Sequence, residues 1–235
     1  MARENDVKLI GIIQNIEKDE NNKIAKIILA VIKRNGRIDY PQIFFYAEHF
    51  DSVKDLKLED TVIIKGFYAT ANQMKEYRCP KCGKVLTSKT MISSVIGFYA
   101  CKLNGKYLLD DLKEVSNSVT LLGPLCRNVK LKVLPSGVKN AQYQMAIGRK
   151  MRVAEQQDVR TDFPFISSLG EQAEEDYKRM EEGCQCYING SIQTRSISKV
   201  INCDCGHGIV IDTPIMEICP YNVEYLFACK FDNEE

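Results

Sequence analysis

Apolar residues along this chain alternate with polar ones over short runs and seldom keep the rhythm of a helix. The pattern therefore predicts a mainly β protein. Val7–Ile16 reads as a first strand, Lys18–Lys23 (KDENNK) as a turn of Asp, Asn and charge, and Ile24–Lys33 as the hairpin partner. Ile43–Tyr46 is a short aromatic strand, and Ala47–Leu56 is weakly helical. Val62–Phe67 and Met91–Ala100 read as two further strands, joined by a polar stretch carrying Cys79 and Cys82. A polar boundary follows at Asp110–Ser118, and then the order repeats. Strands are expected at Val129–Val133 and Gln142–Arg149, then a long charged loop over 150–162. A helix is expected at Glu171–Glu182, with the acidic stretch Glu171–Asp176 on a solvated face. Gln185–Ile188, Ile209–Ile211 and Met216–Ile218 complete the set.

The two halves resemble each other in detail. Ile64–Gly83 and Ile188–Gly206 each run from a β-rich segment through a glycine, Gly66 or Gly190, to a cysteine thirteen residues on, Cys79 or Cys203. A second cysteine and a glycine follow: Cys79-Pro-Lys-Cys82-Gly83 and Cys203-Asp-Cys205-Gly206. Leu9-Ile10-Gly11 matches Leu121-Leu122-Gly123, Ala25–Arg34 matches Ala141–Lys150, and Asp39-Tyr40-Pro41 matches Asp162-Phe163-Pro164. Cys101, six residues before Tyr107-Leu108, matches Cys219, six before Tyr225-Leu226. Matches in this order point to an internal duplication. Two domains are expected, 1–115 and 116–235. Each would be a five-stranded Greek-key barrel of the OB-fold type, with a short helix and a long cysteine-bearing hairpin.

A formal net charge of +1 excludes a simple polycation, so any nucleic-acid surface must be a local patch. Lys and Arg outnumber Asp and Glu only in the first 115 residues, which places the expected patch there. No apolar run approaches the ~20 residues of a membrane span. The charged start, MARENDVKLI, lacks the apolar core of a secretory signal, so a cytoplasmic location is expected. In that compartment the ten cysteines are not expected to form disulfides. Cys184, Cys186 and Cys229 read as reduced thiols in small core sites.

Cys-Pro-Lys-Cys-Gly has the form of a zinc knuckle, and structural zinc takes four ligands in a tetrahedron. Each half supplies one pair. Cys79, Cys82, Cys203 and Cys205 together would make one shared Zn2+ site. Two private sites compete: Cys203, Cys205, His207 and Cys219 in the second half, and Cys79, Cys82 and Cys101 in the first, which would need a fourth ligand such as Cys126. A redox role for Cys79–Cys82 would need a β-α-β setting that the pattern does not show. Two histidines and no phosphate-binding glycine loop leave catalysis poorly supplied, so an enzyme is not expected.

Met145-Ala146-Ile147-Gly148-Arg149, Asp162-Phe163-Pro164-Phe165-Ile166 and Gly170-Glu171-Gln172-Ala173 carry a further likeness, with Glu182-Gly183 and Ile188–Arg195. In these segments the second half resembles the bacterial single-stranded DNA-binding proteins. The whole chain is similar to the two-domain, cysteine-knuckle relatives of Gram-positive plasmids and integrative elements. It departs from the familiar pattern in having no tryptophan, knuckles in place of a plain hairpin, and a short ending, Phe231–Glu235, without a long acidic-tipped tail. The resemblance implies sequence-tolerant binding of single-stranded DNA, protection of strands in replication or transfer, and a homodimer that assembles four OB domains. Replication or conjugation proteins are further possible partners.

A single-strand groove needs cations for phosphates and flat rings for bases. The first half offers Lys33, Arg34, Arg37 and Lys65 with Tyr40, Phe44, Tyr46 and Tyr68. The second offers Arg149, Lys150, Arg152 and Arg195 with Phe163; Lys199, Tyr143 and Phe165 are further candidates there. Alternation puts Phe44 and Tyr46 on one strand face and Phe45 on the other, and one of those faces must be core. The competing reading is a structural or protein-interaction module with little nucleic-acid affinity, and RNA binding is open to the same groove.

Overall fold

The computed structural model describes residues 4–149, 151 and 161–230. The predicted loop over 150–162 and the ending Phe231–Glu235 lie largely or wholly outside them. In the first half, β1 (Glu4–Asp19), β2 (Ile24–Ile32), the two-residue β3 (Ile38–Asp39) and β4 (Gln42–Tyr46) lead into a 3-10 helix, Ala47–Ser52. Then come β5 (Thr61–Arg78) and β6 (Val85–Lys102). The second half has β7 (Asn117–Pro124), β8 (Lys130–Val133), β9 (Lys139–Gln144), β10 (Ile147–Gly148), β11 (Thr161–Asp162) and β12 (Phe165–Leu169). Helix α1 (Glu171–Arg179), β13 (Gln185–Asn202) and β14 (Gly208–Phe227) follow.

Pairing closes the first barrel: β1 with β2, β2 with β4, β4 parallel to β6, β6 with β5, and β5 back to β1. The second closes the same way, with β7 and β8 together taking the part of β1 and a bridge from Leu125 to Met145 completing the ring. Each half is an OB-fold, as the pattern predicts. The barrels fill with alternate side chains of their strands, among them Leu9, Ile27, Ile43, Phe45 and Ile64, and Leu121, Tyr143, Ile166, Ile188 and Ile218.

β1 also pairs antiparallel with β7, setting Val7 opposite Val119. These are matching positions of the repeat, so an internal twofold passes between them and one sheet runs through both halves. Smaller contacts obey the same symmetry. Asn5 brackets the backbone of Tyr68 with two hydrogen bonds (2.8 and 2.9 Å), and Asn117 brackets Ile192 (2.8 and 2.8 Å). Across the halves, Asp39 accepts from the N–H of Thr194 and Asp162 from that of Thr70, both at 2.8 Å. Gly66 and Gly190 each sit at a bulge where an added Cβ would fall 2.3 Å from the Ile96 carbonyl oxygen or 2.5 Å from that of Cys219. That close approach explains why both copies of the repeat turn on glycine.

Two expectations change, and a third gains detail. The long cysteine-bearing hairpins expected in each half are paired throughout: β5–β6 and β13–β14 continue as two-stranded arms out to the cysteines. Such arms are ladder-bonded along their length, which the polar side chains of exposed strands hide from a periodicity reading. Cys101 and Cys219 are not equivalent, because Cys219 stands opposite Ser191 and the position matching it, opposite Phe67, is Ile96. Finally, Cys184 and Cys229 are joined in a disulfide, with the free, buried Cys186 thiol 3.6 Å from Cys184. They come together because β14 ends beside the start of β13.

The acidic face of α1 is only partly solvated. Asp176 is buried and accepts hydrogen bonds from Tyr143 (3.0 Å), Ser168 (2.5 Å), Gln172 (2.8 Å) and Tyr225 (2.7 Å). Burial raises its carboxyl above the ordinary carboxylate value, and these four donors only partly offset the burial. A carboxyl whose folded pKa is raised binds its proton more tightly folded than unfolded. Asp176 therefore subtracts stability as pH rises from its unfolded value, near 3.8, through the raised folded value. Denaturant titrations across that window should lose this slope in Asp176→Asn.

Candidate nucleic-acid interface and cysteine cluster

The two arms converge at their tips, and the internal twofold delivers one cysteine pair from each. Sγ of Cys79 lies 3.7 Å from that of Cys205, and Sγ of Cys82 lies 3.5 Å from that of Cys203. All four sulfurs fall within 4.8 Å of one another. Four thiolates around one zinc at ~2.3 Å stand about 3.8 Å apart, so the cluster has the dimensions of a tetrahedral metal site. Burial opposes ionisation of Cys79. The backbone N–H groups of Cys82 and Lys81, with the thiols of Cys82 and Cys205, overcome it and draw the Cys79 thiol down to about 7. An ion pair between Lys84 and Asp204 also links the tips. The competing private sites do not assemble among the described residues. Cys101 is exposed, Cys126 bonds to the Gln144 carbonyl (3.1 Å), and Cys219 bonds to Gln193 (3.2 Å).

Between the arms and the second barrel lies a groove of about 470 Å³. Its cations come from three directions: Lys89 from β6, Arg127, Lys130 and Lys132 from the β7–β9 region, and Arg195 and Lys199 from β13. Arg195 is held by Glu217 (3.0 and 3.1 Å), and Lys199 donates to Ser88 (3.3 Å). No carboxylate among the described residues pairs with Lys89, Arg127, Lys130 or Lys132. Phe165, 45% exposed, lines the groove. Unpaired cations beside an exposed ring are the means of holding a single strand by its phosphates and a base.

The residues expected to bind from the sequence are placed very differently from one another. Of them, Arg195 and the further candidates Lys199, Tyr143 and Phe165 line this groove. Tyr68 is wholly buried, its hydroxyl donating to the Met216 carbonyl (2.5 Å), so it is core and out of reach of a base. Lys33, 6% exposed, lies against Asp39 (3.9 Å) and donates to Gln193 (3.1 Å). The Arg149 side chain is 1% exposed, ion-paired with Asp162 and set over the Phe67 ring. Both cations are spent inside the protein. Arg37 pairs with Asp39 (3.2 Å) and donates to the Thr194 carbonyl (2.7 Å), and Arg34 pairs with Glu114 (3.1 Å). Lys65 is exposed above Tyr99, and Tyr40 is exposed beside Thr194, which accepts from its N–H (3.0 Å). Phe44 and Tyr46 stack on each other, 6.1 Å between centroids, on the outer face of β4, while Phe45 takes the core. Phe163 is half-buried, its N–H bound by Thr70 (2.9 Å). Lys150 and Arg152 lie outside the described residues. What the sequence did show of the missed cations is the alternation Lys130-Leu-Lys132-Val, which puts two lysines on one strand face.

A cationic, ring-bearing groove on paired OB barrels has the chemistry to hold a polyanion. The comparisons with known proteins point the same way. The model of the single-strand binding protein family matches residues 116–203, within the second half of the chain. A relative from Streptococcus agalactiae, single-stranded DNA-binding protein 4, is 36% identical over 80 residues, which are 34% of this chain and 57% of that protein. The chain thus spans little more than half the length of that relative. The crystal structure of the wild-type single-stranded DNA binding protein from Thermus aquaticus superposes with a TM-score of 0.63 at 15% identity, covering 96% of this chain and 94% of the other. A deletion variant of the same protein gives 0.61 at 17%, covering 99% and 98%. At those identities the likeness is one of fold, and it extends over both halves. No helix among the described residues is long and apolar enough to cross a membrane.

Proposed function

We propose that the chain binds single-stranded DNA with little sequence preference and protects exposed strands during replication or transfer of DNA. It works by binding, without a chemical step. The groove of unpaired cations around Phe165 is the observation that carries this reading, and the family match of the same half supports it. Its chemistry follows the phosphate backbone and stacks a base without reading base edges, hence the tolerance of sequence. The four thiolates at the arm tips would hold one zinc ion, a structural brace. The units 1–115 and 116–235 act as a fused pair of OB domains, and two such chains would present four. The resemblance to plasmid and integrative-element relatives would place the work on mobile DNA.

The test is a titration against fluorescent oligo-dT of several lengths at two salt concentrations, with duplex and RNA controls. Tight, length-dependent binding that weakens with salt and favours the unpaired DNA strand is expected. No binding at low salt to any length would overturn the reading and leave an OB-fold interaction module. Equal preference for RNA would move the function to RNA.

A further inference from the structure

The two halves are built alike, yet among the described residues most of the groove cations of one have no cationic counterpart in the other. The strand ladders fix which positions correspond. Lys130 and Lys132 stand opposite Gln142 and Asn140. The matching positions of the first half, opposite Lys26 and Ile24, are Glu17 and Asp19. Lys89 stands opposite Met74 on the first arm, and its counterpart on the second, opposite Ser198, is Asp212. Arg195, five residues after Gly190, has Ala71, five after Gly66, as its counterpart. Three groove cations thus become carboxylates and a fourth becomes alanine. Lys75, matching Lys199, keeps its sign. Lys26 replaces Gln142 but is paired with Glu17 (3.5 Å), and the Lys18 amine is tied to the carbonyls of Lys54 (2.5 Å) and Leu56 (2.7 Å). The outer face of the first barrel does carry rings, but Phe44, Tyr46 and Phe98 pack there against Phe67 and Ile96.

We infer that a single strand runs through the second half's groove alone. Each chain then holds one strand site, to which the first half lends a wall through Lys89 and no site of its own. This inference rests on the single-strand-binding reading above. Its physical basis is sign: carboxylates at the first half's equivalents of the phosphate-facing positions repel the polyanion that the second half attracts.

The test titrates short oligo-dT to saturation and counts bound strands per chain, with affinities at several salt concentrations and a thermal melt for every variant. The wild type should bind one strand per chain. Lys130→Glu with Lys132→Glu should weaken binding about tenfold or more and flatten the log–log salt slope by about 1.4, at an unchanged melt. Lys89→Glu, on the other wall, should weaken binding in the same direction. Glu17→Lys with Asp19→Lys should leave the first site intact and raise the count toward two. Two equal sites in the wild type, or lysine variants that bind as the wild type does, would overturn the inference while leaving the DNA-binding reading standing. A wild type that binds nothing at low salt would sink that reading, and this inference with it.

Discussion

Cys203→Ser should strip the chain of all its bound zinc, and so should Cys79→Ser. The four sulfurs form one cluster drawn from two arms, so removing any one leaves three ligands and no complete tetrahedron on either side. A colorimetric zinc assay on purified protein should read about one ion per chain for the wild type and none for either variant. Two ions in the wild type, with one surviving in each variant, would mean private sites. The arm tips rely on little else: the ion pair of Lys84 with Asp204 is exposed, and exposed pairs contribute ~0–1 kcal/mol. Hydrogen exchange should therefore rise at both tips together when the metal is chelated, and the barrel cores should stay protected.

Asp162→Ala should cost roughly 3–5 kcal/mol of stability. Its carboxylate pairs with the Arg149 guanidinium and also accepts from the N–H of Thr70, so its removal takes the carboxylate from a buried cation and the acceptor from a buried donor at once. Chemical denaturation should show the effect, and Arg149→Ala should fall in the same direction. Both variants should keep the salt slope of whatever binding survives, because Arg149 does not line the groove. A stable Arg149→Ala protein with a flattened salt slope would return this arginine to the strand.

The history of that arginine shows where sequence reasoning reaches its limit. A strand ending in arginine is the same string whether the cation meets a phosphate or a carboxylate thirteen residues away, and only the barrel brings Asp162 under Arg149. Lys33 and Asp39 repeat the case in the first half. The fold was readable because alternation, turn residues and the repeated glycine bulges are local signals that agree with one another. The gathering of the two cysteine pairs was one of the readings that counting allowed, since two pairs supply the four thiols of one tetrahedral site. The groove was readable only in part: Arg195, Lys199 and Phe165 were candidates, but its walls come from both halves, and Lys130 and Lys132 sit in an alternation that looks like any solvated edge. The slip between Cys101 and Cys219 was hidden for a similar reason, since spacing along the chain is blind to which residues face each other across a ladder.

The pairing of β1 with β7 inside one polypeptide has a genetic consequence. Two separate copies of a single gene product are bound to be identical, so any substitution that tunes one binding face is imposed on its mate. A fused pair escapes that constraint. Lysine can stand at one copy of a position and glutamate at the other, each inherited separately. One copy is then free to specialise in holding nucleic acid while the other gives up that work and remains as scaffold.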